Sequence, residues 1–273
     1  MTEPVCLSLA DLRCADARVA GGKGASLAAM IAAGLPVPPG FAVLADLLER
    51  SVDAAALRRL ARTGAAEEAQ ALVRAAQPPR ADVAAAYESL RSGRVAVRSS
   101  ACAEDSQAAS FAGQQETYLQ VEGVEEVCRR IVDCWASFFS ERALFYRAHK
   151  GSLDDLGIAV VVQRMVNAEK AGVLFTVDPV QRRRDRMIVE AVHGLGERVV
   201  SGEATPDHYV IDRNGAVKRS RLQRGGVLTD EELARLAELG RRLEERFGAP
   251  QDVEWAIAEG RIHLLQSRPV TTL

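Results

Sequence analysis

Two hydrophobic patterns divide this chain. From about 124 to 149, apolar side chains fall three and four residues apart (Val127, Ile131, Cys134, Trp135, Phe138), which predicts one long amphipathic helix there. An alanine-rich helix is predicted over 25–33, behind the run Gly21-Gly-Lys23-Gly. It is stopped by Gly34 and the prolines Pro36, Pro38 and Pro39. Alanine- and arginine-rich helices follow over 45–90, with turns at Gly64 and at Pro78-Pro79. Short apolar runs predict strands at 41–44, 94–98, 158–163, 171–176, 187–192 and 208–212. Thr229 with Glu232 reads as a capping box, and Gly248 stands just past the last turn of the helix it opens. The charged run from Gln181 to Arg186 reads as a solvated turn between two strands.

The last apolar runs carry the most chemistry. Gln251-Asp252-Val-Glu254-Trp and Leu265-Gln266-Ser-Arg268-Pro flank a turn at Glu259-Gly260-Arg261. Alternate residues of a strand share a face, so Asp252 goes with Glu254 and Gln266 with Arg268. Oxygen ligands beside an arginine suit Mg²⁺ bound to a polyphosphate, because Mg²⁺ takes few protein oxygens and leaves the rest to phosphate. A charged edge hairpin is the other reading of this segment alone.

Three further stretches could meet a nucleotide. The loop from Arg98 through Ser110-Phe-Ala-Gly113 to Tyr118 combines small residues, hydroxyls and a fixed positive fork, the make-up of a phosphate cover. Gly22-Lys23-Gly24 opens a helix and resembles an anion site, though the P-loop pattern is missing. Gly194-Leu-Gly196-Glu197 follows a strand; its glycines permit close backbone approach, and Glu197 could meet a metal or ribose. His193 beside it reads as structural.

Composition narrows the class. The chain has 273 residues, 48% hydrophobic and 26% charged, with net charge −2, which gives no electrostatic case for non-specific nucleic-acid binding. The N-terminus lacks the pattern of a signal peptide, and no apolar run reaches the length of about eighteen residues that a membrane span needs. Five cysteines with no C-x-x-C pair suggest reduced thiols and a cytoplasmic protein.

The motifs also occur in a known order. Gly21-Gly-Lys-Gly-Ala-Ser-Leu, Gly34-Leu-Pro-Val-Pro-Pro-Gly-Phe, Val97-Arg-Ser-Ser-Ala-Cys-Ala-Glu-Asp, Ser110-Phe-Ala-Gly-Gln-Gln-Glu-Thr-Tyr, Gly194-Leu-Gly-Glu, Gln251-Asp-Val-Glu-Trp and Leu265-Gln-Ser-Arg-Pro span nearly the whole chain. In that order the chain resembles the nucleotide-binding domain of phosphoenolpyruvate synthase, pyruvate phosphate dikinase and rifampicin phosphotransferase. The resemblance implies an α+β, two-lobed ATP-grasp fold with the nucleotide cleft between the lobes, divided at 1–165 and 166–273. It implies that Lys23 and Arg98 hold ATP phosphates, that Glu254 and Gln266 ligate Mg²⁺ with Asp252 in support, and that Arg268 approaches the transferred group. Gly113 and Glu197 would border the nucleotide, and Gln163 and Met165 the adenine. Lysine, two arginines and a metal make a plausible set for phosphoryl transfer, which needs alignment and charge neutralisation.

The larger relatives add a swivelling domain with a phospho-accepting histidine and a domain for the final acceptor. None of His149, His193, His208 or His263 sits in such a motif, and neither domain is expected in this chain. The expectation is therefore an ATP-dependent phosphotransferase component that passes a phosphoryl or pyrophosphoryl group to a histidine on a partner protein. The alternatives are a self-contained small-molecule kinase and a nucleotide-binding module without turnover. The small-molecule acceptor is left open, and neither nucleic acid nor membrane is expected as a partner.

Overall fold

The computed structural model describes residues 4–91, 93–102, 116–196, 205–223 and 225–271. The architecture is α+β, with two antiparallel sheets among the described residues. The chain divides into two compact units, Met1–Ala28 with Pro39–Met165 and Ala29–Pro38 with Val166–Leu273. No described helix is long and apolar enough to cross a membrane.

The first unit runs β1 (Cys6–Ser8), a 3-10 turn (Leu12–Ala15), α1 (Ala17–Ala32), β2 (Gly40–Val43), α2 (Leu47–Ser51), α3 (Ala54–Thr63) and α4 (Ala66–Arg74). It continues with α5 (Arg80–Ser89), β3 (Arg94–Ala101), β4 (Thr117–Glu122), α6 (Val124–Ser137), α7 (Glu141–Lys150) and β5 (Ile158–Arg164). The last turn of α1 is grouped with the second unit. The sheet order is β1-β2-β5-β3-β4, with every neighbour antiparallel. The pleat sorts the side chains. Phe41, Val43, Val95, Val97, Val160 and Val162 enter a core with Leu57, Val83, Ile131, Trp135 and Phe139 of the helices. The intervening residues Ala42, Ala96, Arg98, Ser100, Val161 and Gln163 take the other face, which is therefore small and polar.

One expected helix is two. The single helix predicted over 124–149 breaks after Ser137, and α7 restarts at Glu141. Ser140 caps the restart, its Oγ accepting from the Ala143 amide at 3.3 Å. The apolar period runs on through the break because Phe138 and Phe139 still pack, ring against ring at 5.6 Å, so periodicity concealed it. Arg147 organises the segment. It is 2% exposed, lies with its guanidinium carbon 3.9 Å from the Phe138 ring centre, and donates to the carbonyls of Phe138, Ser152, Leu153 and Asp155. Burial pulls its pKa down to about 10, against the attraction of Asp155.

The second unit runs β6 (Lys170–Phe175), β7 (Arg186–His193), β8 (Asp207–Asp212), β9 (Val217–Arg221), α8 (Asp230–Phe247), β10 (Gln251–Ala258) and β11 (Arg261–Pro269). Its sheet order is β11-β10-β6-β7-β8-β9, again antiparallel throughout. Helix α8 lies close on one face: a Cβ added to Gly240 would sit 3.2 Å from Leu174 and Thr176 and 3.3 Å from Met187. Its start is the expected capping box, with Thr229 Oγ1 accepting from the Glu232 amide and Glu232 accepting from the Thr229 amide. Both Glu232 oxygens also accept from Lys170 Nζ at 2.8 Å, which ties the helix start to β6. Gly248 ends the helix in the left-handed conformation.

Three strands lie outside the predicted set. β1 is three residues long. β4 is kinked by Gln120 at φ 57 and carries little apolar alternation, and every residue of β9 is exposed.

Two predictions follow from this packing. Replacing Arg147 by methionine leaves buried carbonyls without donors, so urea unfolding is expected to show a loss of about 3 kcal/mol. For Glu232, the partners Lys170 and Thr229 outweigh desolvation and hold the carboxyl below its ordinary 4.5. Its contribution is then complete above pH 4.5 and fades as pH falls through the lowered folded value. Glu232→Gln should cost about 1 kcal/mol at neutral pH, with the gap from the parent closing in acid. An unchanged gap at low pH would remove the Lys170 contact from the account.

Candidate functional site

Each unit presents its own set of candidate side chains. In the first, the set is built on the contact between β3 and the turn at Gly21. Gly21 interrupts α1 at φ 68, ψ 172, a conformation that suits glycine. A Cβ there would lie 2.1 Å from the Ser100 carbonyl oxygen. The Ser100 hydroxyl donates to the Ala20 carbonyl at 2.9 Å and accepts the Gly24 amide at 3.2 Å. It thus spans the interruption and caps the helix that resumes beyond it. Lys23 follows on that first resumed turn, and its Nζ donates to the Ser99 carbonyl at 3.1 Å. Lys23 is half-buried, and its charge is felt at Cys134 on α6, where it opposes the upward push of burial on the thiol.

Arg98 lies on β3 between the registers Val161 and Thr117, 8% exposed, on the small polar face it shares with Ser100 and Gln163. Gln163 is 2% exposed and stands opposite Ala96 and Gly40. Met165 is half-buried, and its amide donates to the Arg94 carbonyl at 3.0 Å, so that donor is already used within the chain.

In the second unit the expected hairpin forms, with Asp252 opposite Arg268 and Glu254 opposite Gln266. The pairing slips by a bulge between Glu254 and Trp255, just beyond these two pairs. Arg268 donates to Asp252 Oδ2 from Nε at 2.9 Å and from Nη2 at 2.8 Å. Burial pushes the Asp252 carboxyl above its ordinary value. Arg268 opposes the rise, while Glu254 and Glu190 add to it. The register extends across the sheet: Gln266, Glu254, Val173, Glu190, His208 and Arg221 form one row on the face opposite α8.

Sequence reading missed Glu190 and His208 as members of this face. His208 Nδ1 stands 3.5 Å from Glu190 Oε1. The signal lay in β7, where Glu190 interrupts an apolar run, but only the cross-strand register shows which face it takes. The Gly194–Gly196 turn comes down on this face too, since a Cβ on Gly196 would lie 3.2 Å from the Ala171 side chain. Gly113 and Glu197 lie outside the described residues.

The donor set fits Mg²⁺. A carboxylate and an amide oxygen stand opposite each other on neighbouring strands, with a second carboxylate two residues along. Among the described residues no three His, Cys, Asp or Glu groups cluster into a metal site by themselves. A Mg²⁺ ion carried on a polyphosphate needs no such cluster.

The model of the pyruvate phosphate dikinase AMP/ATP-binding domain matches residues 17–225 and 214–273, and so takes in every candidate site residue named in both units. The chain belongs to this family. This AMP/ATP-binding domain is 41% identical over 314 residues to the "Probable phosphoenolpyruvate synthase" of Archaeoglobus fulgidus, covering 98% of this chain and 42% of that protein. It is 40% identical over 317 residues to the rifampicin phosphotransferase of Streptomyces sviceus, covering 100% of this chain and 36% of the relative. The phosphoenolpyruvate synthase of Pyrococcus furiosus matches at 33% over 347 residues, with 94% and 42% covered. The domain therefore spans well under half the length of these relatives. A solved chain, D-alanyl-alanine synthetase A from Vibrio cholerae, superposes on 91% of it at 12% identity and a TM-score of 0.44, covering 55% of that chain.

The Gly21 contact gives a direct test of how this AMP/ATP-binding domain holds Lys23. Gly21→Ala cannot keep both the φ of 68 and the Ser100 contact. We expect a loss of about 2 kcal/mol or more in unfolding free energy, together with weaker ATP binding by calorimetry. Ser100→Ala, which removes the cap without the clash, should cost about 1 kcal/mol. Normal ATP affinity in both variants would detach this contact from nucleotide binding.

Proposed function

We propose that this domain activates ATP with Mg²⁺ in the manner of an ATP-grasp enzyme and passes a phosphoryl or pyrophosphoryl group to a histidine on a partner protein. The observation that carries the reading is the β10–β11 register, which sets Glu254 against Gln266 beside the Asp252–Arg268 pair. Lys23 and Arg98 supply the cationic half of the same chemistry. The relatives named phosphoenolpyruvate synthase and rifampicin phosphotransferase support a phosphotransferase role.

In this proposal Glu254 and Gln266 hold the metal and Asp252 supports them. Bound Mg²⁺ supplies charge neutralisation at the phosphates. Lys23 and Arg98 hold phosphate oxygens, and one Lys23 donor is fixed on Ser99, which aims the ammonium. Arg268 answers the charge that develops on the migrating group. The acceptor imidazole nitrogen forms the new P–N bond as a P–O bond of ATP breaks. ADP leaves if the γ-phosphoryl group moves, and AMP leaves if the β,γ-pyrophosphoryl group moves.

The test uses ATP labelled with phosphorus-32 on the β-phosphate and, in a parallel reaction, on the γ-phosphate, with Mg²⁺ and the purified protein, in buffer and in native cell extract. Acid-labile label on a second protein is the expected result, from the β position with AMP released if the pyrophosphoryl group moves, or from the γ position alone with ADP released if the phosphoryl group moves. Label on a small molecule alone would replace the proposal with a self-contained kinase. ATP binding with nothing labelled in either setting would leave only a nucleotide-binding module. Glu254→Gln is expected to lower Mg²⁺-dependent turnover about 100-fold or more with the fold intact. Turnover equal to the parent would remove Glu254 from the metal site.

A further inference from the structure

The outer edge of the second sheet carries features that the nucleotide chemistry does not use. β9 pairs with β8 on one side, and no described strand lies on its other side. Its residues Val217-Lys-Arg-Ser-Arg221 are all exposed. Arg219 and Arg221 make no ion pair among the described residues, and neither do Arg182 and Arg184 in the turn that leads to β7. That turn and the start of β9 lie at the same end of the sheet. Arg186 pairs with Asp212 in register, Lys218 bridges to Asp212 at 2.9 Å, and Arg213 of the β8–β9 turn donates to the Thr176 carbonyl at 2.7 Å. Apolar groups accompany the charge: Val180 is 90% exposed, Leu222 44% and Val217 41%, three of the five large hydrophobics exposed among the described residues.

Charged side chains on an edge strand ordinarily keep other strands away. That explanation accounts for the arginines and leaves the apolar groups unexplained, since a guard strand gains nothing from showing Val217 and Leu222 to water. An edge that meets no described strand on its outer side, with cations and apolar contacts together, fits a strand from another protein, acidic where it meets the arginines and apolar between them. A second copy of the chain fits poorly, because antiparallel self-pairing of β9 would set arginine near arginine. Nucleic acid would answer the arginines but not the open backbone ladder or the valines.

We propose that β9 is a docking edge where an extended, acidic segment of a partner protein, with apolar residues interspersed, adds as a further strand. Its backbone would complete the ladder, its carboxylates would meet Arg219 and Arg221, and its apolar side chains would cover Val217 and Leu222.

The probe is a fluorescein-labelled peptide of alternating valine and glutamate, about ten residues long. It is titrated into the whole chain by anisotropy, with amide hydrogen exchange followed across β9. Binding should slow exchange of the β9 amides, and Arg219→Glu with Arg221→Glu should weaken affinity about tenfold or more. Both side chains are exposed on the edge strand, so this variant should keep the parent's melting temperature. A control peptide of alternating valine and lysine should not bind. A version of the valine–glutamate peptide with proline in place of each valine should bind poorly, because every proline removes a backbone donor from the ladder. The proposal falls if the valine–glutamate peptide shows no binding up to about 1 mM, or if the proline version binds as well, which would mean electrostatic adhesion without strand addition. It also falls if a single-stranded oligonucleotide protects β9 and the peptide does not.

Discussion

A β-strand sends successive side chains to opposite faces, so a strand that turns Val253 and Trp255 toward α8 must present Asp252 and Glu254 on the other face. The same constraint acts on β3, where Val95 and Val97 enter the core and Ala96, Arg98 and Ser100 cannot. In each sheet one face is spent on helices and stability. The candidate site residues are confined to the face that remains. A slip of one residue in the β10–β11 register would break the pairs Asp252–Arg268 and Glu254–Gln266 together and send the carboxylates toward α8. The core thus guards against such a slip, because moving the register by one residue would also expose Val253 and Trp255, both buried. Burying two such side chains contributes several kcal/mol, more than any polar pair on the opposite face.

The first unit meets a different demand, the placement of a long flexible lysine. Left to itself, Lys23 would sample many rotamers, and in the proposed role it would lose entropy on meeting a phosphate. Here its helix restarts at a glycine bend that fits against Ser100, and its ammonium donates to Ser99 on the same strand as Arg98. One strand, β3, therefore fixes both cations, one through its side chain and the other through its backbone. The arrangement removes conformational freedom before any ligand arrives, which is how preorganisation favours binding.

What the sequence made legible follows from where local signals dominate. The capping box at Thr229, the left-handed Gly248 and the β10–β11 hairpin rest on short-range rules, and the structure has all three. The α+β class was legible for the same reason, since period-2 and period-3.6 stretches separate cleanly. The break between α6 and α7 was hidden because Phe138 and Phe139 keep the apolar period while Ser140 and Arg147 end the helix through contacts that no period reports. β9 was hidden because an edge strand exposed on both faces has no burial to impose alternation. Glu190 and His208 show a third kind of limit. Each was visible as a polar residue in a strand, but their place in the row of Glu254 depends on three strand pairings that join residues up to about ninety positions apart.

The Asp252–Arg268 pair bears on how the second unit could change partners. It holds two well-formed hydrogen bonds, yet half of the Arg268 side chain is exposed. An ion pair so open to water is worth about 1 kcal/mol or less. Asp252 itself is well buried, and its carboxyl is pushed up by desolvation and by the neighbouring carboxylates Glu254 and Glu190. The pair is thus a weak hold on the arginine and a needed relief for the aspartate. A polyphosphate with its metal would alter both sides. The cation would relieve the crowded carboxylates that Arg268 now relieves, and the phosphate oxygens would offer the guanidinium a bidentate partner of higher charge. In the proposed site, releasing Arg268 to a phosphate would cost little once a metal had taken over its electrostatic role. Metal binding and arginine release would then be coupled, each easing the other.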